Sequence, residues 1–427
     1  IALKYGIPIT PAGGLTGMLG SAVPLHGGIM LDTTAMAGLI EIDVPNQVIR
    51  VKAGTTIKAI NDMLEPHNLW LPNQPESKYA CTIGAEIACD NDSTFGMKYG
   101  KILNALLSVR LVAGNGKSYE LGHRKARFSS SGYKLMHLLA GSEGTLGIIT
   151  EVSLKAEPSP PARSVDMVIF DSLGKAVLFL NELLRCGILP EGAHINCRKR
   201  LEFYTHAYRQ KYGFPPKIPE WARAALFIIF SGSDTVLKFH RETAFDILKN
   251  YQGHIVEERE IVDSWWKSKH TLEFEPFAQK WPASQRVKKF GAADPGIPMG
   301  RLEEYYDFFL KCAAKHGLDV LGMNAYLEHP NSVGFSLSCA VFVDYRNQKE
   351  VEAFREYHRE MALKAVELEG TMSTYMSDSD VKVPLFEKEH GEAASLMLEL
   401  KKMFDPYGIM NPGKKFSFRH TSGRRDF

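Results

Sequence analysis

Short runs of alternating hydrophobic and polar residues, separated by glycine-rich turns, dominate the first third of the chain. Residues 48–51, 109–112 and 148–152 are such runs, and they are rich in Val and Ile. Alternation at a period of two is typical of half-buried strands. One helical pattern, residues 57–64, interrupts the runs. Together these positions predict a sheet-rich first domain over residues 1–158.

The first nine residues predict the end of a helix followed by a strand. Ile1 to Gly6 has the pattern of a last helical turn with Gly6 as its C-cap, and residues 7–9 continue as a strand. Because a helix cannot begin at its own end, we expect the native polypeptide to extend upstream of Ile1 by roughly one βαβ unit, on the order of 30 residues.

Helical and strand patterns alternate in the second part of the chain. Clustered prolines at residues 158–161 deny a strand its N–H donors and therefore mark a domain boundary. Beyond them, the patterns predict strands at 224–230 and 334–342, and helices at 173–186, 240–250, 302–316 and 348–368. This alternation predicts an α+β domain with helices on one face of its sheet, over residues 159–400.

Composition narrows the class of protein to a folded enzyme-sized chain. Of its 427 residues, 44% are hydrophobic and 23% are charged, and the net charge is only +2, so nucleic acid is not an expected partner. The longest apolar stretches, such as residues 224–230, are far shorter than the ~20 residues of a transmembrane helix. The six cysteines show no CxxC spacing, which favours free thiols in a reducing cytoplasm. An iron–sulfur cluster would have to lie on a partner.

A glycine-rich loop, residues 11–22, directly follows the first predicted strand. Closely spaced glycines let successive backbone N–H groups turn toward one anion, which suits a diphosphate. An ordinary tight turn explains such a loop about as well. The loop lacks the Lys-Ser/Thr of a P-loop and the GxGxxG pattern of a Rossmann fold. It therefore indicates a different kind of cofactor site.

Two further motifs follow this loop in order: Gly-Ser-Glu-Gly-Thr-Leu-Gly-Ile-Ile-Thr-Glu at 141–151 and Asn-Pro-Gly-Lys at 411–414. With these three motifs the chain resembles the FAD-linked oxidase family. The ending at residues 404–414 is most similar to the D-lactate, glycolate and D-2-hydroxyglutarate dehydrogenase branch. The resemblance implies a two-lobed FAD-binding domain of the vanillyl-alcohol oxidase type, an α+β cap domain, and a C-terminal segment (401–427) that returns to the flavin.

The resemblance also implies which residues hold FAD. They lie in four stretches and in the C-terminal motif: Pro11, Ala12, Gly13, Gly14, Leu15, Thr16 and Gly17; Gln74 and Pro75; Cys81, Thr82, Gly84, Cys89, Asp90, Asn91 and Asp92; Glu143, Gly144, Thr145, Leu146, Gly147, Ile148 and Ile149; Asn411 and Lys414. Leu15 replaces the third glycine usual in the family's first loop, and Asp-Asn-Asp-Ser at 90–93 replaces an Asn-Ala-Gly-Gly stretch. No histidine lies in the first loop, so FAD is expected to be non-covalent.

The family's metal-binding motifs are incomplete in this chain. Hydroxyacid dehydrogenases of the family bind a divalent metal through histidines of a Gly-His-x-Gly-Asp-Gly-Asn-Leu-His stretch and a glutamate of a Glu-His-Gly stretch. The first stretch aligns with residues 322–335, where Met323 replaces the leading histidine. The Glu-His-Gly triplet at 389–391 lies too near the C-terminus. The family's spacing instead reaches Thr374 and Tyr375, so no catalytic metal is expected.

Two residues are candidates for the catalytic base. Tyr375 takes the place of the family's base, where a phenol with a lowered pKa could accept a hydroxyl proton; packing in the core explains a tyrosine equally well. His329 lies on a loop expected to face the flavin, or is simply exposed. Four residues are candidates for substrate binding: Lys269, Arg286, Lys288 and Tyr326. Loop lysines are more often merely solvated, and core packing explains the neighbouring tryptophans Trp265, Trp266 and Trp281.

The sequence thus predicts a metal-independent FAD-dependent dehydrogenase of a 2-hydroxyacid or a similar small hydroxylated substrate. Two alternatives remain open: an aryl-alcohol or phenol oxidase of the vanillyl-alcohol oxidase type, and a catalytically silent FAD-bearing subunit for electron transfer or scaffolding. Expected partners are an electron-accepting protein, either an iron–sulfur protein or an electron-transfer flavoprotein, and a second copy of the chain in a homodimer. The expected location is cytoplasmic.

Overall fold

The computed structural model describes residues 1–202, 218–269, 288–328, 334–377 and 381–416. The first large sheet is antiparallel and contains β3 (Leu39–Asp43), β4 (Val48–Lys52), β6 (Leu106–Ala113), β7 (Ser118–Gly122) and β8 (Gly147–Lys155). Its strand order is β3–β4–β8–β6–β7. The strands predicted at 48–51, 109–112 and 148–152 are confirmed, and each is longer than its alternating centre.

Helix α2 (Ile57–Leu64) confirms the helix predicted at the same positions. Its N-cap is Thr56, whose side chain accepts a hydrogen bond from the backbone of the first turn. Ile57, Ile60 and Leu64 recur at helical spacing and are buried in the core of the first sheet. The short helices α3 (Ile83–Cys89), α4 (Gly96–Tyr99) and α5 (Ile102–Ala105) follow in the same domain.

The chain opens with helix α1 (Ala2–Tyr5), which ends at Gly6 in the left-handed conformation (φ 61°), as predicted. The next strand, β1 (Ile9–Ala12), begins two residues later than predicted. The reason is that the Ile7 amide still bonds to the Ala2 carbonyl of the helix. Strand β1 pairs in parallel with β2 (Ile29–Asp32), and a second short pair joins β5 (Leu69–Trp70) to β9 (Glu157–Pro158).

The second domain is built on a larger antiparallel sheet. Its strands are β10 (Ala162–Phe170), β11 (Gly192–Cys197), β12 (Ala224–Gly232), β13 (His254–Ile255), β14 (Lys289–Ala293), β15 (Gly296–Pro298), β16 (Asp319–Tyr326) and β17 (Gly334–Val343). The order is β13–β10–β12–β11–β16–β17–β14, and β15 also pairs with β17. The predicted strands at 224–230 and 334–342 are confirmed.

Four helices cover one face of this sheet: α6 (Leu173–Arg185), α7 (Asp234–Lys249), α9 (Leu302–Lys315) and α10 (Gln348–Glu367). Their apolar sides share one core with the sheet. Helix α7 begins six residues before its predicted start, because Ser233 caps it and its polar first turn hid the pattern. The remaining helices are α8 (Arg259–Ser268), α11 (Phe386–His390) and α12 (Ala393–Phe404). The predicted α+β architecture is confirmed.

The opposite face of the larger sheet meets the first domain. Ala325 and Leu337 point into the helix-covered core, so Tyr326 and Ser338, one residue further along each strand, point the other way. After α12 the chain returns to the first domain, where the backbone amide of Asn411 donates a hydrogen bond to the Ile9 carbonyl at 2.8 Å. The predicted domain boundaries at residues 158 and 400 remain predictions. Within the described residues, no helix is long and apolar enough to cross a membrane.

Candidate active site

A long cavity lies between the two domains. On the first domain its wall includes residues of the 11–22 loop, of residues 76–92 with helix α3, and of residues 139–149. On the second domain the wall consists of residues from the uncovered sheet face and its neighbouring loops: Arg200, Phe290, Tyr326, Ser338, Tyr375 and Met376. The cavity therefore joins the predicted cofactor loops to the predicted substrate side in one space.

Every residue of the 11–17 loop except Gly14 lines this cavity. In the described part of the chain, the amides of residues 14–17 donate no hydrogen bond to a protein group. The loop lies against the start of α3, and a Cβ on Gly14 would come within 1.8 Å of the Ala80 carbonyl oxygen. Leu15 has a φ of 55°, so it keeps the left-handed backbone that suits a glycine. Open amides at one end of a cavity can bind a diphosphate.

Helix α3 supplies a buried carboxyl group to the same wall. The Glu86 Oε2 atom lies 3.1 Å from Cys81 Sγ and 3.2 Å from Asn91 Nδ2, and its Oε1 atom has no hydrogen-bond partner in the described residues. Burial raises the pKa of Glu86 to about 7. Burial also raises the pKa of Cys89 to about 12. A carboxyl poised near neutrality can donate a hydrogen bond to a cofactor acceptor, while the thiol stays protonated.

The C-terminal segment fastens the loops that form the cavity rather than lining it. Asn411 Nδ2 donates to the carbonyls of Glu143 at 2.6 Å and Ser21 at 2.9 Å. Lys414 Nζ donates to the Gly20 carbonyl at 2.8 Å, and Lys415 pairs with the Glu143 carboxylate at 3.0 Å. These contacts join the 11–22 loop to residues 142–149, so both walls of the cofactor end depend on the returning segment.

Most of the residues expected to bind FAD line the cavity: Pro11, Ala12, Gly13, Leu15, Thr16, Gly17, Cys81, Gly84, Asn91, Cys89, Asp92, Glu143, Gly144, Gly147, Ile148 and Ile149. Others lie just behind the wall: Gly14, Gln74, Pro75, Thr82, Asp90, Thr145, Leu146, Asn411 and Lys414. Thr82 is an example of the second group, because its hydroxyl is fully buried under Gly13.

Arg200 brings a buried positive charge to the cavity wall. Its residue is buried, with 3% exposure, and it lines the cavity with Tyr326 and Ser338. Gly322 of β16 makes this position possible, because a Cβ there would lie 2.6 Å from the Arg200 backbone nitrogen. Glycine therefore allows the two backbones to approach closely, and a guanidinium reaches the cavity from the end of β11.

Tyr375 reaches the cavity on a loop that Asp294 organises. The Asp294 Oδ2 atom accepts hydrogen bonds from the backbone nitrogens of Thr374 at 3.1 Å, Tyr375 at 3.1 Å and Met376 at 2.7 Å. Its other oxygen accepts a hydrogen bond from Lys382. Burial raises the pKa of Tyr375 well above its usual value, and Tyr326, Asp92 and Asp294 raise it further. This direction is opposite to the lowered pKa that a base requires, and it favours the neutral phenol.

Asp92 is an ionisable carboxyl of the cavity wall whose charge acts on Tyr375. It lines the cavity, and its negative charge contributes to the raised pKa of Tyr375. Burial raises the pKa of Asp92, while Lys269 and Lys101 oppose the shift. Burial and the Asp92 charge also raise the pKa of Glu328. The two carboxyls therefore hold protons more tightly than exposed ones, and Asp92 remains the more acidic of the two.

The predicted substrate lysines differ in their positions. Lys269 is buried behind Tyr326, with its ammonium 4.8 Å from the ring centroid and 2.8 Å from Glu76 Oε1. Lys288 lies away from the cavity, where it pairs with Asp319 at 3.1 Å and with Glu350 at 3.5 Å. Arg286, His329 and Trp281 lie outside the described residues.

Three further positions that the sequence singled out, Met323, Glu389 and Trp265, make contacts that support the fold. Met323 is buried in the helix-covered core, on the face of β16 that points away from the cavity. The Glu389 carboxylate accepts hydrogen bonds from the Thr371 hydroxyl and, at 3.2 Å, from the Met372 amide, so it fixes a turn. Trp265 stacks on Phe227 with a centroid distance of 4.1 Å.

The sequence patterns did not single out three residues that line the cavity or support its wall: Arg200, Glu86 and Asp294. Arg200 lies in a Cys-Arg-Lys-Arg segment, and such a run of basic residues is typical of a solvent-exposed surface. Glu86 occupies an apolar helix face, which was a usable signal because an unpaired carboxyl is rarely buried. Asp294 stands 81 residues before Tyr375, and only the folded chain brings them together.

The residues of the cavity wall fit the chemistry of FAD. It offers loop amides and a Glu86 Oε1 atom that have no hydrogen-bond partner among the described residues, together with apolar and glycine residues in its wall. Two family models match the chain. The model described as "FAD binding domain" covers residues 1–122, and the model described as "FAD linked oxidases, C-terminal domain" covers residues 159–415.

Curated proteins and solved structures match nearly the whole chain. The glycolate oxidase subunit GlcD of Bacillus subtilis is 26% identical over 422 residues, which are 98% of this chain and 85% of the relative. The D-lactate dehydrogenase of Archaeoglobus fulgidus is 26% identical over 426 residues, 97% of this chain and 87% of the relative. A 4-ethylphenol oxidase from Gulosibacter chungangensis shares the fold with a TM-score of 0.78 at 14% identity, over 98% of this chain and 86% of that one.

Proposed function

We propose that this chain, which belongs to the family of FAD-linked oxidases, oxidises a small 2-hydroxyacid or a similarly anionic alcohol. As a member of the family it is an FAD-dependent oxidoreductase acting on CH–OH groups. The observation that carries the narrower proposal is Arg200, a buried cation in the part of the cavity wall that the second domain supplies with Tyr326 and Ser338. A buried guanidinium favours a carboxylate, which it can bind through two parallel hydrogen bonds.

The names of the relatives agree with this substrate class. Glycolate and D-lactate, which appear in the names of the GlcD subunit and the dehydrogenase, are both 2-hydroxycarboxylate anions. These names support a cavity that holds a carboxylate beside a hydroxyl group.

The chain's own residues would hold FAD through the loops of the first domain. The amides of residues 14–17 would bind the diphosphate, and Glu86 would donate a hydrogen bond from its protonated carboxyl. When bound, FAD supplies the acceptor for the hydride that leaves the substrate carbon. We propose that binding is non-covalent, because burial keeps the cavity thiols Cys81 and Cys89 protonated and poorly nucleophilic. Acid precipitation that leaves the yellow colour in the protein pellet would contradict this.

Asp92 is the proposed proton acceptor. It lines the same cavity as Arg200 and Tyr375, and its charge acts on the Tyr375 phenol. With its pKa raised toward neutrality, its carboxylate is a better base than an exposed aspartate and is still ionised at higher pH. Tyr375, a neutral phenol, would donate a hydrogen bond to the substrate oxygen. The substrate hydroxyl proton passes to Asp92 as the carbon loses its hydride. No metal takes part in the proposed reaction.

Substitution of Arg200 tests the proposal directly. In Arg200→Lys, the KM for a 2-hydroxyacid should rise at least about 10-fold. The KM for the neutral amide of the same acid should change much less, because only the acid has a carboxylate that pairs with the guanidinium. Lys288→Gln, which removes a cation that lies off the cavity, is the matched control and should leave the acid-to-amide ratio unchanged. An unchanged ratio in Arg200→Lys, with FAD still bound, would contradict the proposal.

A further inference from the structure

Three metal-ligating side chains meet on the helix-covered side of the second domain. The Nε2 atom of His316 lies 3.0 Å from the Glu360 Oε1 atom, and the Cys312 Sγ atom lies 3.9 Å from Glu360 Oε2. Among the described residues, the candidate ligand atoms of these three side chains all lie within 4.8 Å of one another. Cys312 is buried and the other two are half-buried. A thiol, an imidazole and a carboxylate at this spacing form a set of ligands rather than a patch of like charges.

The helices fix this arrangement. Cys312 and His316 are four residues apart at the end of α9, so they project from the same side of one helix. Glu360 lies on α10, which packs beside α9. The Tyr305 hydroxyl, buried between the helices, donates to the Met361 carbonyl at 2.6 Å. This bond holds the register of the two helices one residue away from Glu360.

We propose that Cys312, His316 and Glu360 bind a divalent cation of the zinc type, with water as the fourth ligand. Zinc binds thiolate, imidazole and carboxylate at ~2.0–2.3 Å in a tetrahedron, which places ligand atoms roughly 3.3–3.7 Å apart. The observed separations of 3.0 Å and 3.9 Å lie on either side of this range. Small side-chain rotations therefore convert the present contacts into a coordination sphere, without movement of either helix.

Lys315 is the competitor for this site. Its ammonium lies 2.7 Å from Glu360 Oε1, and 63% of its side chain is exposed. An exposed lysine can turn into solvent at little cost. On metal binding the Cys312 thiol releases its proton to solvent, and the lysine yields its place beside the carboxylate to the cation. No oxidation or reduction is involved.

The site is separate from the FAD cavity. Cys312 belongs to the core on the helix side of the larger sheet, whereas Tyr326 and Ser338 line the cavity on the other side. A cation here would join the end of α9 to α10 and stabilise the second domain. It would not contact the substrate. Metal removal should therefore affect stability and leave flavin reduction unchanged, which separates this proposal from the proposed function.

Cobalt titration of the FAD-containing protein is the decisive experiment. Co²⁺ reports its ligands by colour, since tetrahedral coordination with a thiolate gives strong d–d bands at wavelengths beyond the flavin absorption. We expect one Co²⁺ per chain with such bands, displaced by Zn²⁺, and a higher melting temperature in Zn²⁺. Cys312→Ala and His316→Gln should each abolish the bands and the thermal shift.

Cys186→Ala is the matched control. The Cys186 Sγ atom also lies near a carboxylate, 3.6 Å from Glu182 Oε1, yet the described residues place no histidine in a ligand group with it. Its bands and thermal shift should match those of the unaltered protein. If Co²⁺ gives no tetrahedral bands, or if the bands persist in both Cys312→Ala and His316→Gln, the proposal is wrong. Should one variant fail to fold, the other and Glu360→Gln decide the outcome.

Discussion

The carboxylate of Asp294 lies 3.1 Å from the backbone nitrogen of Tyr375 and accepts its hydrogen bond. The same oxygen also accepts hydrogen bonds from the backbone amides of Thr374 and Met376 and, at 2.8 Å, from the Ser373 hydroxyl. Asp294 is fully buried between β14 and β15, in the larger sheet. The direction in which Tyr375 enters the cavity is therefore determined by a carboxylate that does not itself line the cavity.

Asp294→Asn should slow flavin reduction by about 10²-fold, because displacement of a catalytic group by about 1 Å has an effect of this size. The asparagine keeps the shape but loses the charge that attracts the amides and Lys382. Stopped-flow reduction at saturating substrate measures the change, and FAD content should remain unchanged. Asp319→Asn is the control, since Asp319 is an exposed partner of Lys288. An equal effect of both variants would argue against a positioning role for Asp294.

Asp92 and Tyr375 should differ in their effect on the pH profile. Because the pKa of Asp92 is raised, its base form is lost as the pH falls through that pKa, so the reduction rate should rise with pH and then level off. Asp92→Asn should lower the plateau by roughly 10²-fold or more and remove this limb. Tyr375→Phe should lower the rate with the limb in place, since its phenol stays neutral. A limb that survives in Asp92→Asn would show that another group is the base.

Glu86→Gln should stabilise the FAD-free protein at pH 8 but not at pH 4. The folded protein raises the pKa of Glu86 from 4.5 to about 7, so the folded state binds the proton more tightly. Its contribution to stability is full below pH 4.5 and is lost as the pH rises to about 7. Chemical unfolding should show a gain on the order of 3 kcal/mol at pH 8 for the variant. Glu242→Gln, at an exposed position, should show no such pH-dependent gain. Equal stability of Glu86→Gln and the unaltered protein at pH 8 would contradict the assignment.

Leu15→Gly should raise the free energy of unfolding by up to about 1 kcal/mol, because it relieves a left-handed conformation that costs a non-glycine residue about that much. Leu15→Val should lower it, since β-branched residues tolerate the φ of 55° least. Leu15 is largely exposed, so lost packing contributes little. Urea unfolding of the FAD-free protein compares the variants. A less stable Leu15→Gly would mean that the loop does not have this backbone in solution.

The sequence predicted the regular elements well because their signals are local. The bounds of α2 and the strands around residues 48, 109 and 148 follow from residues within each element. The resemblance to the FAD-linked oxidase family predicted the cofactor loops. The substrate end was not, because Arg200, Asp294 and Asp92 gain their roles from distant neighbours such as Gly322, Tyr375 and Lys269. Burial reversed the expected pKa direction at Tyr375, which no local pattern indicates.

Anaerobic reduction of the bound flavin is the most direct test of the central claim. The FAD-containing protein would be mixed without oxygen with 2-hydroxyacids, their neutral amides, and aryl alcohols or alkylphenols, and the loss of flavin colour followed. At least one 2-hydroxyacid should bleach the flavin, its amide should do so far more slowly, and a chelator should leave the rate unchanged. Bleaching by phenols or aryl alcohols alone would indicate an oxidase of those substrates. No bleaching by any compound would indicate a catalytically silent subunit. Either result would contradict the proposed oxidation of a 2-hydroxyacid.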